Sequence, residues 1–220
     1  VMSSPDRRPL YNVLFSAIKE GKISEVYDSS YFTTKKTLKD IEASLFKIDT
    51  SDVGREQMNE DIDAYRKGTK KISEEYIRKT EIQAYDVDAY KVVGYWYFDK
   101  RQGELKYRML GICPVVPDVY TMGDDSAQKE YIELFWVYFP SSRDVLHAAK
   151  AFNNRNSAMS FTFDHLLNAR RFSGVVYLEE NVYGDRLIKD YMKENAQMQL
   201  LESERVKEKI RDFEQDMWNY

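Results

Sequence analysis

Tyr90-Lys91-Val92-Val93-Gly94-Tyr95-Trp96-Tyr97-Phe98 is the stretch that decides the fold. Aromatic and β-branched side chains dominate it, and these suit a pleated, half-buried surface. Asp99-Lys100-Arg101-Gln102-Gly103 follows as a turn-like loop ending in glycine, and Leu105 to Ile112 returns as a second strand. Leu134 to Phe139 supplies a third after a polar loop containing Gly123-Asp124-Asp125-Ser126. With 99–103 as the loop between antiparallel strands, Tyr95 lies opposite Tyr107, Val93 opposite Met109 and Tyr97 opposite Leu105, an apolar face. The other face then carries Trp96 opposite Lys106 and Gly94 opposite Arg108, and a slip of one residue exchanges the two faces.

Helices are expected on both sides of this sheet in the chain. Pro9 opens a run in which Leu10, Val13, Leu14, Ala17 and Ile18 recur at helical spacing, and Gly21 closes it. Thr37 with Asp40 three residues on reads as a capping box, and Ile41, Leu45 and Phe46 give that helix its apolar face. After the sheet, helices resume from Ser142, with Val145, Leu146, Ala149 and Phe152 on one face. Another starts at Thr162, with Leu166, Leu167 and Phe172 turned inward. Val175-Val176-Tyr177-Leu178 reads as a further short strand. A long helix from about Asp185 ends the chain, with Val206, Ile210, Phe213 and Met217 as its stripe. Such a helix is an arm that packs across the sheet or is exchanged with a partner, and packing is preferred because docking stabilises an amphipathic face.

Residues 50–68 read as a polar, mobile linker joining a helical segment, 1–49, to an α+β core, 69–220, within one compact domain overall. Acidic residues crowd the linker (Asp52, Glu56, Glu60, Asp61 and Asp63), and a basic block follows at Arg66, Lys67, Lys70, Lys71, Arg78 and Lys79. Exposed ion pairs contribute little individually, so a solvated linker is the preferred reading over a charge clamp between subunits.

With 220 residues, 43% of them hydrophobic and 32% charged, the chain has material for one ample core. A net charge of −4 argues against a nucleic-acid partner, since binding there rests on counterion release by basic residues. No stretch approaches the roughly 18 consecutive apolar residues of a membrane-spanning helix, so no direct membrane insertion is expected. Val1-Met2-Ser3-Ser4-Pro5 has no apolar stretch behind it to make a signal peptide, which leaves the compartment open. Cys113 is the one cysteine, so the chain has neither an internal disulfide nor a thiolate zinc site, and its apolar setting predicts a buried thiol.

Chemistry is not legible in these residues. His147 and His165 lack further ligands at metal spacing, the serines lack a nucleophile elbow, and the glycines form no phosphate loop. No catalytic residue, cofactor or metal is assigned. One cluster suggests a contact surface: Trp96, Lys106 and Arg108 share a sheet face in the register above, where a cation over the indole is attractive. In the alternative reading the lysine and arginine stems simply shield the ring from water.

Several strings occur along the chain in a definite order. They include Asp6-Arg7-Arg8-Pro9-Leu10-Tyr11, Gly21-Lys22-Ile23-Ser24-Glu25-Val26-Tyr27 leading to Phe32-Thr33-Thr34, and Gly111-Ile112-Cys113-Pro114-Val115. Phe135-Trp136-Val137-Tyr138-Phe139-Pro140, Met159-Ser160-Phe161-Thr162-Phe163-Asp164, Glu179-Glu180-Asn181-Val182-Tyr183 and the end of the final helix complete them. Taken in this order, they resemble the GldN/PorN family. The resemblance implies a non-enzymatic periplasmic scaffold of the type IX secretion and gliding-motility apparatus. It implies a hetero-oligomeric ring with an outer-membrane lipoprotein (PorK/GldK-like) that also meets the periplasmic part of the inner-membrane motor (PorM/GldM-like). Association with the outer membrane is then through the partner.

The expectation is thus an α+β fold with a central antiparallel sheet of three to four strands, N-terminal helices and a long C-terminal helix. Arg7, Arg8 and Tyr11, an exposed Arg-Tyr cluster of the kind found at interface hot spots, are candidate partner contacts together with Trp96, Lys106 and Arg108. The competing function is a periplasmic glycan- or peptide-binding module using the Trp96 face. A weaker rival is an enzyme using His147 or His165.

Overall fold

Helix α1, Leu10–Lys19, follows Pro9 and buries Tyr11, Val13, Leu14, Ala17 and Ile18. Gly21, at φ 72°, terminates it in a Schellman arrangement: the Lys22 N–H reaches the Ala17 carbonyl at 2.9 Å and the Gly21 N–H reaches Ile18 at 3.1 Å. Helix α2, Leu38–Leu45, starts at the predicted capping box, with Thr37 accepting from the Asp40 amide and Asp40 from the Thr37 amide. The computed structural model describes residues 8–51, 53, 55–56, 59, 74–122, 130–151, 161–180, 184–193 and 195–218. Arg7, the glycine loop at 123–126, Phe152, and the greater part of the expected 50–68 linker and 66–79 basic block lie outside the described residues.

The central sheet is antiparallel. Its strands are β1 (Val26–Tyr27), β4 (Ala89–Asp99), β5 (Glu104–Pro117), β6 (Tyr131–Glu133) and β7 (Trp136–Tyr138). The order is β1-β7-β5-β4, with β6 also pairing β5. The sequence predicts three to four strands; the extra ones, β1 and β6, are too short to leave a periodic signal. With helices before the sheet and a long one at the C-terminus, the fold is α+β.

β6 and β7 run along one edge of β5, but their registers differ by one residue. Val115 pairs with Glu133, whereas Ile112 pairs with Val137. Three residues, Leu134 to Trp136, therefore face two, Cys113 and Pro114, which is a β-bulge. Pro114 explains its place: a proline has no N–H for the ladder, and its carbonyl accepts from the Leu134 amide at 3.1 Å. Leu134, Phe135, Trp136 and Val137 are all buried in succession, as a regular two-sided strand would not require. The Trp136 indole N–H donates to Glu133 Oε2 at 2.7 Å, and Lys91 Nζ lies 2.5 Å from Glu133 Oε1.

A second pairing was not foreseen. Phe46 does not extend the apolar face of α2; it begins β2, Phe46–Thr50, which pairs with β3, Ile77–Glu81, and it is exposed. Asp49 is the strand partner of Arg78 in this ribbon, so the residues just before the expected linker lie beside the end of the basic block.

Helix α3, Phe139–Ala148, starts before the expected Ser142, because Pro140 occupies its first turn without needing a donor. It gives way at once to β8, Lys150–Ala151, paired with β9, Phe161–Thr162. Helix α4, Phe163–Asn168, follows, and Arg143 of α3 grips Asp164 of α4 in a two-pronged pair at 2.8 and 3.2 Å. Leu167 is buried as expected, but Phe172 is exposed.

By internal packing the chain divides into two units, residues 1–93 with 109–164, and residues 94–108 with 165–220. In the second, the expected 175–178 strand is reduced to one bridge, Leu178 to Leu187. The terminal helix does not run from Asp185. A short α5, Ile188–Tyr191, precedes α6, Ala196–Trp218, whose start is capped by Asn195 through the Gln197 amide at 2.9 Å. Val206 and Ser203 of α6 are buried, and the Ser203 hydroxyl accepts from the Val176 amide at 2.7 Å, whereas Phe213 of the expected stripe is 51% exposed. No helix among the described residues is long and apolar enough to cross a membrane.

Candidate functional site

The far end of the β4–β5 hairpin carries the strongest candidate. Its turn is closed by the Gly103 amide on the Asp99 carbonyl at 2.8 Å, with Gly103 at φ 66°. Further along, Gly94 creates a gap in the pleated surface. A Cβ at this position would run into the Tyr107 ring and the Arg108 carbonyl, closer than the 3.0 Å that real contacts respect. Glycine therefore lets the Tyr107 ring lie across β4, where it meets Trp96 at 5.3 Å between centroids.

Arg170 completes this cluster. It sits just past the end of α4, at φ 51°, in the same Schellman pattern as Gly21: the Arg171 amide reaches Leu166 at 3.0 Å and the Arg170 amide reaches Leu167 at 3.1 Å. Its guanidinium lies 4.4 Å from the Trp96 ring centroid and 5.1 Å from that of Tyr107. A cation over such rings is held by their quadrupole, by about 0.5–2 kcal/mol. Burial raises the Tyr107 phenol above its ordinary value, against the opposing pull of Arg170.

Lys106 and Arg108 are not part of this cluster. Lys106 Nζ is 3.2 Å from Asp99 Oδ2 and also binds Gln102, and this lysine holds the Asp99 carboxyl below its usual range. Arg108 donates to the Tyr95 hydroxyl at 3.4 Å, and Tyr95 in turn neighbours Tyr97 at 6.0 Å. Successive residues of a strand face opposite ways, so Tyr95 and Trp96 diverge. The expected common face of Trp96, Lys106 and Arg108 is thus corrected: the strands adopt the slipped arrangement, with Trp96 against Tyr107, and the cation on Trp96 comes from Arg170.

The N-terminal cluster also divides. Arg8 is exposed, but Tyr11 is only 3% exposed. It stacks with Phe15 and Phe135, and its amide donates to the Tyr90 hydroxyl at 3.1 Å. Tyr11 is a core residue and not the exposed contact its sequence neighbours suggested.

His147 and His165 are both exposed, on α3 and α4. Among the described residues, no group of three His, Cys, Asp or Glu side chains is placed to hold a metal ion. Cys113 is buried as expected, and burial, with the Glu133 carboxylate adding to it, pushes its thiol up to about 12. Arg170 was missed by sequence reading because α4 is too short to reveal its C-terminal cap.

Residues 2–219 match the model of a family described as gliding motility associated protein GldN. Among curated proteins, none matches the chain.

Proposed function

Because the chain belongs to the family of the gliding motility associated protein GldN, we propose that it is a non-enzymatic scaffold of the gliding-motility machinery. In this reading it works in the periplasm as a component of the type IX secretion apparatus. It assembles with an outer-membrane lipoprotein of the PorK/GldK kind into a ring and meets the periplasmic part of a PorM/GldM-like motor. Its association with the outer membrane is through that lipoprotein.

The family match over almost the whole chain carries this reading. The hairpin surface is compatible with it: Tyr95 and Tyr97 are 42% and 41% exposed and neighbour each other, and Tyr95 accepts from Arg108. Exposed tyrosine and arginine are the side chains most enriched where protein interfaces hold their binding energy. Two neighbours in a ring require two different surfaces on each subunit, and the hairpin offers tyrosines on one side and the Arg170 cluster on the other.

The test is to co-express the chain with the ring lipoprotein and weigh the purified product by light scattering. A high-mass complex of fixed stoichiometry is expected. A lone monomer that leaves the lipoprotein behind overturns the reading.

A further inference from the structure

We propose that the Arg170 guanidinium, placed over Trp96 and Tyr107, is a docking site for a carboxylate on an acidic segment of a partner protein. Three independent observations meet there. The first is conformational. Arg170 occupies the left-handed position past α4 that glycine occupies past α1, at φ 51° against 72°. An L-residue with a Cβ is disfavoured in this conformation, and glycine would close the same helix end without strain. The backbone strain is borne by a residue whose side chain is thereby held over the two rings.

The second is electrostatic. The guanidinium carbon lies 4.4 Å from the Trp96 ring centroid and 5.1 Å from that of Tyr107, and the π-faces of these rings accept no charge from it, so its donors remain to be matched. Among the described residues those N–H groups make no hydrogen bond or ion pair, whereas Arg143 and Arg205 are each matched to a carboxylate. A planar fork of donors is the complement of a planar carboxylate.

The third is the surrounding surface. Arg171 is exposed beside it, and Phe172 and Val175 are 39% and 58% exposed. A carboxylate presented by a peptide would find a second cation and apolar side chains to cover, which a small free acid could not use. A polyanion such as nucleic acid needs a run of cations to neutralise successive phosphates, more than Arg170 and Arg171 supply.

This surface does not depend on the identity of the ring partner. Co-purification with the lipoprotein can fail while the site still binds, and the reverse. The experiment is calorimetric titration of the full chain with acetylated tetraglutamate amide, beside tetraglutamine and inorganic phosphate, for the wild type, R170K and R170G. The tetraglutamate peptide is expected to bind and to weaken as salt rises, with no binding of tetraglutamine. R170K should bind about tenfold more weakly, the equivalent of one charge-assisted hydrogen bond. R170G should lose binding while staying folded, because relief of the left-handed backbone offsets much of the lost contact with the rings. The proposal is overturned if the wild type ignores tetraglutamate, if either variant binds it as the wild type does, or if phosphate binds more tightly than the peptide. It is also overturned if R170G loses binding only by unfolding, since the arginine is then a cover for Trp96 and nothing more.

Discussion

The ring of Phe32 lies over Gly111, in the space that a Cβ on the sheet would fill. Phe32 holds this position at φ 55°, an uncommon conformation for an aromatic residue. Its ring also meets Tyr27, Trp136 and Tyr138 at 5.4, 6.4 and 5.5 Å, all edge-on. Gly111→Ala should crowd this cluster and destabilise the fold by about 1–3 kcal/mol. Phe32→Ala should cost about 2 kcal/mol, less than the ~3–5 of a fully buried phenylalanine. In the double variant the new methyl occupies space the ring has left. Denaturant titration should therefore show a loss smaller than the sum of the single losses, and strict additivity would refute the contact.

Glu133 serves two donors, the buried Trp136 indole and Lys91. Glu133→Ala strands an indole N–H in a residue that is 1% exposed. A buried donor without an acceptor costs about 1–3 kcal/mol, so the melting temperature should fall clearly. Glu133→Gln keeps an acceptor for the indole and should fall less; equal losses for the two would show that the indole bond is unimportant.

Cys113 makes stability depend on alkaline pH. Its folded thiol is pushed up to about 12 from an ordinary 9.0. Below about pH 9 both states are protonated and the shift has no effect. Between about 9 and 12 the unfolded chain ionises first, so stability falls by up to about 1.4 kcal/mol per pH unit. Burial also raises the Tyr11 phenol and therefore adds to the loss in alkali. Cys113→Ala should flatten the curve between pH 9 and 11 in urea melts, and an unchanged slope would remove Cys113 from the account. The native thiol should resist iodoacetamide at pH 8, because the reactive thiolate is scarce and buried.

Arg143 and Asp164 tie α3 to α4. Arg143→Lys retains the charge but cannot reproduce the two-pronged geometry. It should lower stability by about 1 kcal/mol, and Arg143→Ala by about 1–3 kcal/mol, as measured by chemical denaturation. A lysine variant as stable as the wild type would show that charge alone matters there.

Much of the architecture was legible where its cause is local. The faces of α1, its glycine stop and the Thr37–Asp40 box each involve residues within two turns of helix, so periodicity and cap chemistry reveal them. The β4–β5 hairpin and its Gly103 turn are legible for the same reason. The β2–β3 ribbon was not, because Phe46 to Thr50 has no alternation strong enough to separate it from the preceding helix.

The candidate site was legible only in half. Trp96 stood out from composition, but the cation upon it did not, since Arg170 reaches it through tertiary folding and not through sequence spacing. The choice between the two hairpin registers likewise needed the structure. Gly94 admits the Tyr107 ring on the Trp96 side, and that close approach is invisible to a pattern in which either register leaves plausible faces.

By itself the sequence determined the start and stop of α1, the capping box that starts α2, the strand-rich centre, the buried thiol and membership of a family with a gliding-motility role. These depend on neighbouring residues or on the order of whole strings. Tertiary structure alone decided the bulge at Leu134 to Trp136, the burial of Tyr11, the place of Phe32 on Gly111 and the seat of Arg170 on Trp96. Each of these is a contact between segments distant in the chain, where packing volume and donor matching select one arrangement among several that local chemistry allows.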